Sequence, residues 1–153
     1  IRPTSLRNQI VNDAFEIFID KRHLIKLYDG VEDSLKILSK KYELGVLTNG
    51  NADIYKFEIG RYFKFSISSL EAKDNKPNRS HFDEASKKLE GIKFDEMLHI
   101  GDHQINDIIG ASNLGINTLW FNNNNSEWEQ DSKKPDEFSS WKRLPEIIEK
   151  YYG

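Results

Sequence analysis

A chain of 153 residues has the length of one domain. A domain of that size buries roughly 70% of the surface its unfolded form exposes. Charged residues make up 31% of the chain and the formal net charge is −3, so nothing electrostatic favours nucleic acid or an anionic membrane as partner. The absence of cysteine excludes disulfides, thiolate metal sites and a cysteine nucleophile. No apolar run approaches the ~20 residues of a transmembrane helix and no signal peptide is visible, which together suit a cytoplasmic protein.

Thr4 or Ser5 can cap a first helix running to about Ile25. Its apolar face (Leu6, Ile10, Ala14, Ile17, Phe18) is widened by Val11, Phe15 and Ile19, implying more than one packing neighbour. Tyr28-Asp29-Gly30 breaks the pattern, and a second helix is predicted from Val31 to Lys41, acidic in its first turn and basic in its last. Leu44-Gly45-Val46-Leu47 reads as a short strand ending in Thr48-Asn49-Gly50, after which Ile54, Phe57 and Ile59 resume helical spacing. Phe63 to Ser68 reads as a strand, followed by a polar loop holding Lys76-Pro77. Ser80 starts a helix to about Leu89, with Asp83 as its capping-box partner. Met97 to Ile100 is a strand whose following helix ends near Leu114-Gly115, and Asn117 to Phe121 is the next strand. The asparagine-rich stretch from Asn122 to Pro135 is expected as a long surface loop, Phe138 as a short edge strand, and Leu144, Ile147, Ile148 and Tyr151 as a closing amphipathic helix. Strands separated by helices predict an α/β fold, a doubly wound parallel sheet covered on both faces.

The stretch Leu98 to Ala111 carries most of the chemistry. Its apolar run ends in Gly101-Asp102, which places Asp102 at the carboxyl end of a parallel strand, where open α/β sheets bind ligands. Asp107, near the start of the next helix, can turn its carboxylate back into the same crevice. Two carboxylates within ~4 Å repel by roughly 4 kcal/mol at an effective dielectric of 20, a cost that donors, a lysine or a divalent cation would remove. Oxygen ligands of this kind suit Mg²⁺, which keeps several waters and a substrate phosphate in its shell.

Two further polar clusters lie at the carboxyl ends of other strands: Thr48-Asn49-Gly50, and Lys76 in the loop beyond the next strand. In a parallel sheet these ends share one edge, so the clusters converge. Thr48 and the N–H groups near Asn49 and Gly50 can hold phosphate oxygens. Lys76 can neutralise charge on the transferred group, and Asp102 can hold the metal. Taken singly, Thr48 reads as a strand-end hydroxyl and Lys76 as a solvated loop lysine. His103 reads as a loop residue and His99 as a hydrogen-bonded core imidazole. His23 and His81 carry no signal, and Trp120 and Phe121 read as strand packing.

In this order and spacing, Thr48-Asn49-Gly50, Lys76-Pro77 and Gly101-Asp102 with Asp107 resemble motifs two, three and four of the haloacid dehalogenase superfamily. The likeness runs from about Tyr28 to Tyr151. The chain looks most like the phosphatase branch acting on small phosphorylated metabolites, flavin mononucleotide phosphatases among them. The resemblance implies that residues 1–27 are the last part of a helical cap with its linker, and that residues 28–153 are the Rossmann-like core. It implies that Thr48 and Asn49 bind phosphate, Lys76 orients nucleophile and phosphate, Asp102 ligates Mg²⁺ and Asp107 supports the metal site. Position 103 is often Ser or Thr in relatives, so His103 is a departure. The superfamily's dehalogenases typically lack the Gly-Asp pattern, so Asp102 favours phosphoryl chemistry over carbon–halogen cleavage.

The superfamily's first motif, Asp-x-Asp after an apolar strand, is absent. Phe18-Ile19-Asp20-Lys21-Arg22 places Arg where the second Asp belongs and lies within the first helix. The missing Asp is the nucleophile of an aspartyl-phosphate mechanism. Its strand is the central one, and leaving its neighbours unpaired would strand buried backbone groups. The chain, which begins Ile1-Arg2-Pro3, is therefore expected to be the C-terminal part of a longer Mg²⁺-dependent phosphomonoester hydrolase, inactive by itself. A cleaved but bound N-terminal segment, direct pairing of the flanking strands, or an exchanged dimer partner would each repair the gap. The rival expectation is a non-catalytic binding or regulatory module on the same fold.

Overall fold

The structure, a computed structural model, describes residues 26–153. The expected first helix and most of the cap remnant lie outside the described residues. Helix α1 (Val31–Leu38) follows Gly30, whose φ of 84° is the left-handed conformation that a glycine tolerates best. Its buried side, Val31, Ser34, Leu35 and Leu38, follows the helical repeat, and Glu32 and Asp33 face the positive end of its dipole. Ser34 is fully buried and satisfied by donating its hydroxyl to the carbonyl of Trp141 at 2.6 Å.

Strand β1 (Gly45–Thr48) pairs in parallel with β2 (Phe65–Ser68), Leu47 opposite Ile67 and Thr48 opposite Ser68. Strand β3 (Leu98–Gly101) pairs in parallel with β4 (Asn117–Phe121), and β4 with β5 (Asp136–Phe138). All three pairs are parallel, as the alternation of strands and helices requires. The described strands form two sheets, β1-β2 and β3-β4-β5, with no pairing between β1 and β3. The N–H of Lys64 donates to the carbonyl of Leu44 on the β2 side. Successive carbonyls alternate along a strand, so that of Leu47 faces away from β2, toward the open edge.

Between the sheets the link is made by side chains. Leu38, Leu119, Phe121, Phe138, Leu144 and Ile148 form one core cluster, against which Leu44 from before β1 and both Leu98 and Ile100 of β3 pack. A second cluster, under β2, is smaller: Phe65, Ile67, Ala72 and Ala85, with Leu47 and Leu89 against it. Helix α2 (Ser69–Ala72) follows β2 directly, its Ser68 cap accepting from the N–H of Glu71. Helix α3 (Ser80–Lys88) packs Phe82 against Ala111 and Ile116, which fixes it beside the path out of β3. The chain closes with helix α5 (Leu144–Tyr151), with a proline in its first turn.

Four expectations are corrected. The stretch after Gly50 is two 3₁₀ turns, Ile54–Lys56 and Glu58–Tyr62, rather than an α-helix. Phe57 is extended between them, and the turns fold so closely that a Cβ on Gly60 would lie 2.5 Å from the carbonyl oxygen of Ile54. At α3, Arg79 occupies the cap position and no side-chain cap bond forms. Asp83 instead pairs with Arg79 at 2.8 Å, because a carboxylate one turn along reaches the guanidinium more easily than the backbone. Helix α1 stops at Leu38 rather than continuing to Lys41. The helix after β3 begins as a π turn, Gln104–Ile109, and becomes α4 (Gly110–Ser112) only where it passes Pro77.

Candidate active site

Lys76 is the centre of the site, and its backbone and ammonium are held separately. The side-chain amide of Asn49 clamps its backbone twice: Oδ1 accepts from the N–H of Lys76 at 2.7 Å, and Nδ2 donates to the Lys76 carbonyl at 3.0 Å. The ammonium donates to the carbonyl of Leu47 at 2.8 Å and to Oδ1 of Asp107 at 2.6 Å. Both charged side chains are about nine-tenths buried. A buried ammonium requires such partners, since desolvation without them costs several kcal/mol. Because the Leu47 carbonyl faces the open edge of β1, Lys76 lies across the space between the two sheets.

Asp107 reaches that position because of two features of its own segment. The imidazole of His103 caps the π turn, its Nδ1 accepting from the N–H groups of Ile105 and Asn106 at 3.2 and 3.1 Å. The role of His103 is therefore the one a Ser or Thr performs at a helix start. Gly101 provides the room: a Cβ there would lie 2.4 Å from the Asp107 side chain. The carboxylate then accepts from the N–H of His103 at 3.1 Å and from Nε2 of His99 at 3.3 Å, besides Lys76. Burial pushes the Asp107 carboxyl upward, but the His99 hydrogen bond and the Lys76 charge outweigh it and hold the group well below the usual carboxylate range.

Thr48 ends β1 with its hydroxyl oxygen accepting from the N–H of Gly50 at 2.9 Å. Ser69 donates to the carbonyl of Asn49 at 3.1 Å, fixing the far side of the turn. His81 is completely buried and its Nε2 bonds the carbonyl of Thr48 at 3.0 Å.

Asn49, Lys76 and Asp107 thus form one hydrogen-bonded net, and Thr48 and Gly50 close the turn next to it through a bond of their own. Asp102 stands beside that net. Its carbonyl accepts from the indole N–H of Trp120 at 2.9 Å. Its exposed side chain lines a cavity of about 80 Å³ whose other walls include Tyr28, Trp120 and Asn122, but neither Thr48 nor Lys76. The two carboxylates therefore have different work: Asp107 is committed to Lys76 and His99, while Asp102 faces outward. No group of three or more acidic, histidine or cysteine side chains suited to a metal is found among the described residues. A single exposed carboxylate fits Mg²⁺, which binds through one or two carboxylates and fills its shell with water and phosphate.

The asparagine-rich stretch, a surface loop as expected, is tied down beside this cavity. Trp128 meets Trp120 edge-on at 5.5 Å, and Gln104 bonds the carbonyl of Glu127 and the N–H of Glu129. Sequence reasoning passed over His81 and gave His99 no part in the site. The alternation of side chains along β3 puts His99 and Gly101 on one face, which was a usable signal for His99 once Asp107 was placed there. Nothing local marks His81. Its partner Thr48 is distant in sequence, and only the packing of α3 on β1 reveals it.

Comparison with known proteins gives a consistent picture. The haloacid dehalogenase-like hydrolase family matches residues 3–121. Among curated proteins, the chain is 33% identical to the 5-amino-6-(5-phospho-D-ribitylamino)uracil phosphatase YigB of Escherichia coli, over 74% of this chain and 47% of that protein. It is 26% identical to the pyrimidine 5'-nucleotidase PynA of Streptococcus pneumoniae, over 79% of this chain and 54% of that one. The chain spans about half the length of these curated relatives. Among solved structures, a 2-haloacid dehalogenase from Pseudomonas syringae superposes with a TM-score of 0.90 at 30% identity, covering 97% of this chain and 64% of that one. The magnesium-bound hydrolase YfnB of Bacillus subtilis shares the fold at a TM-score of 0.74 and 23% identity, over 80% of this chain and 56% of its own. With the family matched across most of its length and the fold shared, the chain belongs to the haloacid dehalogenase-like hydrolases.

Proposed function

We propose that the protein to which this chain belongs is a Mg²⁺-dependent phosphomonoester hydrolase acting on a small phosphorylated metabolite. The observation that carries the reading is the anchoring of Lys76 beside the end of β1: Asn49 clamps its backbone, and Asp107 with the Leu47 carbonyl holds its ammonium. In this reading the Thr48 hydroxyl and the backbone N–H of Asn49 bind the phosphate oxygens, while the Gly50 N–H holds the Thr48 oxygen. Lys76 neutralises charge as it develops in the transition state, and Asp107 keeps Lys76 in position. Asp102 holds the Mg²⁺, which supplies a further positive charge to the transferred group when bound. Phosphorylated substrates are also named for relatives such as YigB and PynA, which supports the phosphoryl reading over the carbon–halogen chemistry named for the Pseudomonas neighbour.

A nucleophilic carboxylate completes the reaction: it attacks phosphorus, the alcohol leaves, and water then hydrolyses the acyl phosphate. Among the described residues no carboxylate is free to do this opposite Lys76. We place it on a further strand pairing between the open edges of β1 and β3, which belongs either to the same longer protein or to an exchanged partner. These 153 residues by themselves then hold phosphate and metal weakly and turn over nothing.

The test is a screen of phosphorylated metabolites against the full-length protein, measuring released phosphate. Activity is expected to vanish on chelation and in Asp102→Asn, with Mg²⁺ restoring only the unsubstituted protein. Chloride release from a 2-chloro acid without phosphate release would instead establish a dehalogenase. Binding of phosphate with neither reaction would establish the non-catalytic module.

A further inference from the structure

We propose that His81 is a positioning residue for the turn Thr48-Asn49-Gly50, fixing the strand-end carbonyl of Thr48 through its Nε2–H and so setting the direction of the Thr48 hydroxyl. The inference rests on the reading of that turn as the phosphate-binding element. A carbonyl oxygen only accepts, so the 3.0 Å contact puts the ring hydrogen on Nε2. Nδ1 is then a bare lone pair, and it lies buried with no hydrogen-bond partner. Buried polar atoms without partners are rare, and one is retained here on a side chain that is completely enclosed. A phenyl ring would fill the same space without that cost, so the contact to Thr48 is the chemical reason for an imidazole.

The surroundings fix the ring in its neutral form. Burial lowers its pKa, the Lys76 and His99 charges lower it further, and the Thr48 carbonyl and Asp74 act in the opposite direction without prevailing. Asp107 lies beyond Lys76 and is already neutralised by it. An imidazolium would bury a second N–H with no acceptor and place a cation near the Lys76 ammonium. The neutral ring already carries the Nε2–H that the Thr48 carbonyl accepts, so the contact needs no added proton.

The full chain, labelled with ¹⁵N, tests this in His81→Phe and His81→Gln, using inorganic phosphate as the probe. A glutamine amide nitrogen reaches the position of Nε2 and can donate to Thr48; a phenyl ring cannot. In His81→Phe the Gly50 amide resonance is expected to move and the phosphate dissociation constant to rise about five- to tenfold, with both restored in His81→Gln. An unmoved Gly50 resonance in His81→Phe, or equal shifts in both variants, overturns the proposal. If the unsubstituted chain binds no phosphate, the phosphate-binding reading fails, while the Gly50 shift still decides whether His81 positions the turn. Should His81→Phe not fold, the imidazole ¹⁵N shifts of the unsubstituted chain decide. A ring protonated on Nε2 that stays neutral below the ordinary imidazole range supports the assignment, and a ring that charges within or above that range, or the Nδ1–H form, overturns it.

Discussion

The β3-β4-β5 sheet and the β1-β2 sheet share the same parallel pairing but are held in place differently. The three-stranded side rests on large side chains: Phe121, Phe138 and Trp141 sit with ring centroids 5.1 to 5.6 Å apart, on top of Leu119, Leu144 and Ile148. Among the described residues the two-stranded side rests on a smaller cluster, Phe65, Ile67, Ala72 and Ala85 with Leu47 and Leu89 against it. What joins it to the site is polar: the Asn49 clamp on Lys76, the Lys76–Asp107 pair and the His81 contact to Thr48. Large apolar side chains dominate one side, and the other adds directed hydrogen bonds to a smaller apolar cluster. The difference shows why the candidate chemistry collects at the boundary between them: fixed dipoles and charges are needed there for structure and are already aimed.

That contrast can be broken most sharply at Asp107. Asp107→Ala leaves the Lys76 ammonium buried without its counter-charge, and urea unfolding should show a loss of about 3–5 kcal/mol. Adding Lys76→Met should recover part of that loss, since the orphaned charge is then gone. On the apolar side, Phe138→Ala should cost a similar 3–5 kcal/mol or so, but with no change in phosphate binding by the full chain. Gly101→Ala should cost about 1–3 kcal/mol, because its Cβ would displace the Asp107 carboxylate. Unlike Phe138→Ala, it should also shift the His99 ring signals, which report contact with that carboxylate.

The mildest probe is pH. The His81 pKa is lowered by burial, so the unfolded chain takes up that proton at a higher pH than the folded one. Stability from His81 is therefore complete above about pH 6.5 and falls as pH drops below it. Asp107 is also depressed in the folded chain, so its contribution is complete above the unfolded value near pH 3.9 and is lost only below that. Between about pH 7 and pH 5, urea midpoints should thus fall in the unsubstituted chain and stay flatter in His81→Phe. Protection factors over the same range, referred to the intrinsic exchange rate at each pH, should fall first at the amides of β1 and β2 rather than those of β4.

The sequence by itself was enough for the α/β class, the parallel order and the bounds of β4, because burial and helical or strand periodicity act over a few residues. It was enough, too, to place Thr48 and Asn49 after β1, Lys76 beyond β2 and both Asp102 and Asp107 after β3, of which hydrogen bonds join Asn49, Lys76 and Asp107 while Asp102 lies apart. Tertiary structure alone decided the division of work between the carboxylates, because Asp107 faces a buried ammonium while Asp102 faces solvent. It alone turned the stretch after Gly50 into 3₁₀ turns, where Gly60 meets the Ile54 carbonyl, and it alone gave His81 a partner. Each of these depends on contacts between residues far apart in the chain, and no local pattern encodes the distance at which two such groups come to rest.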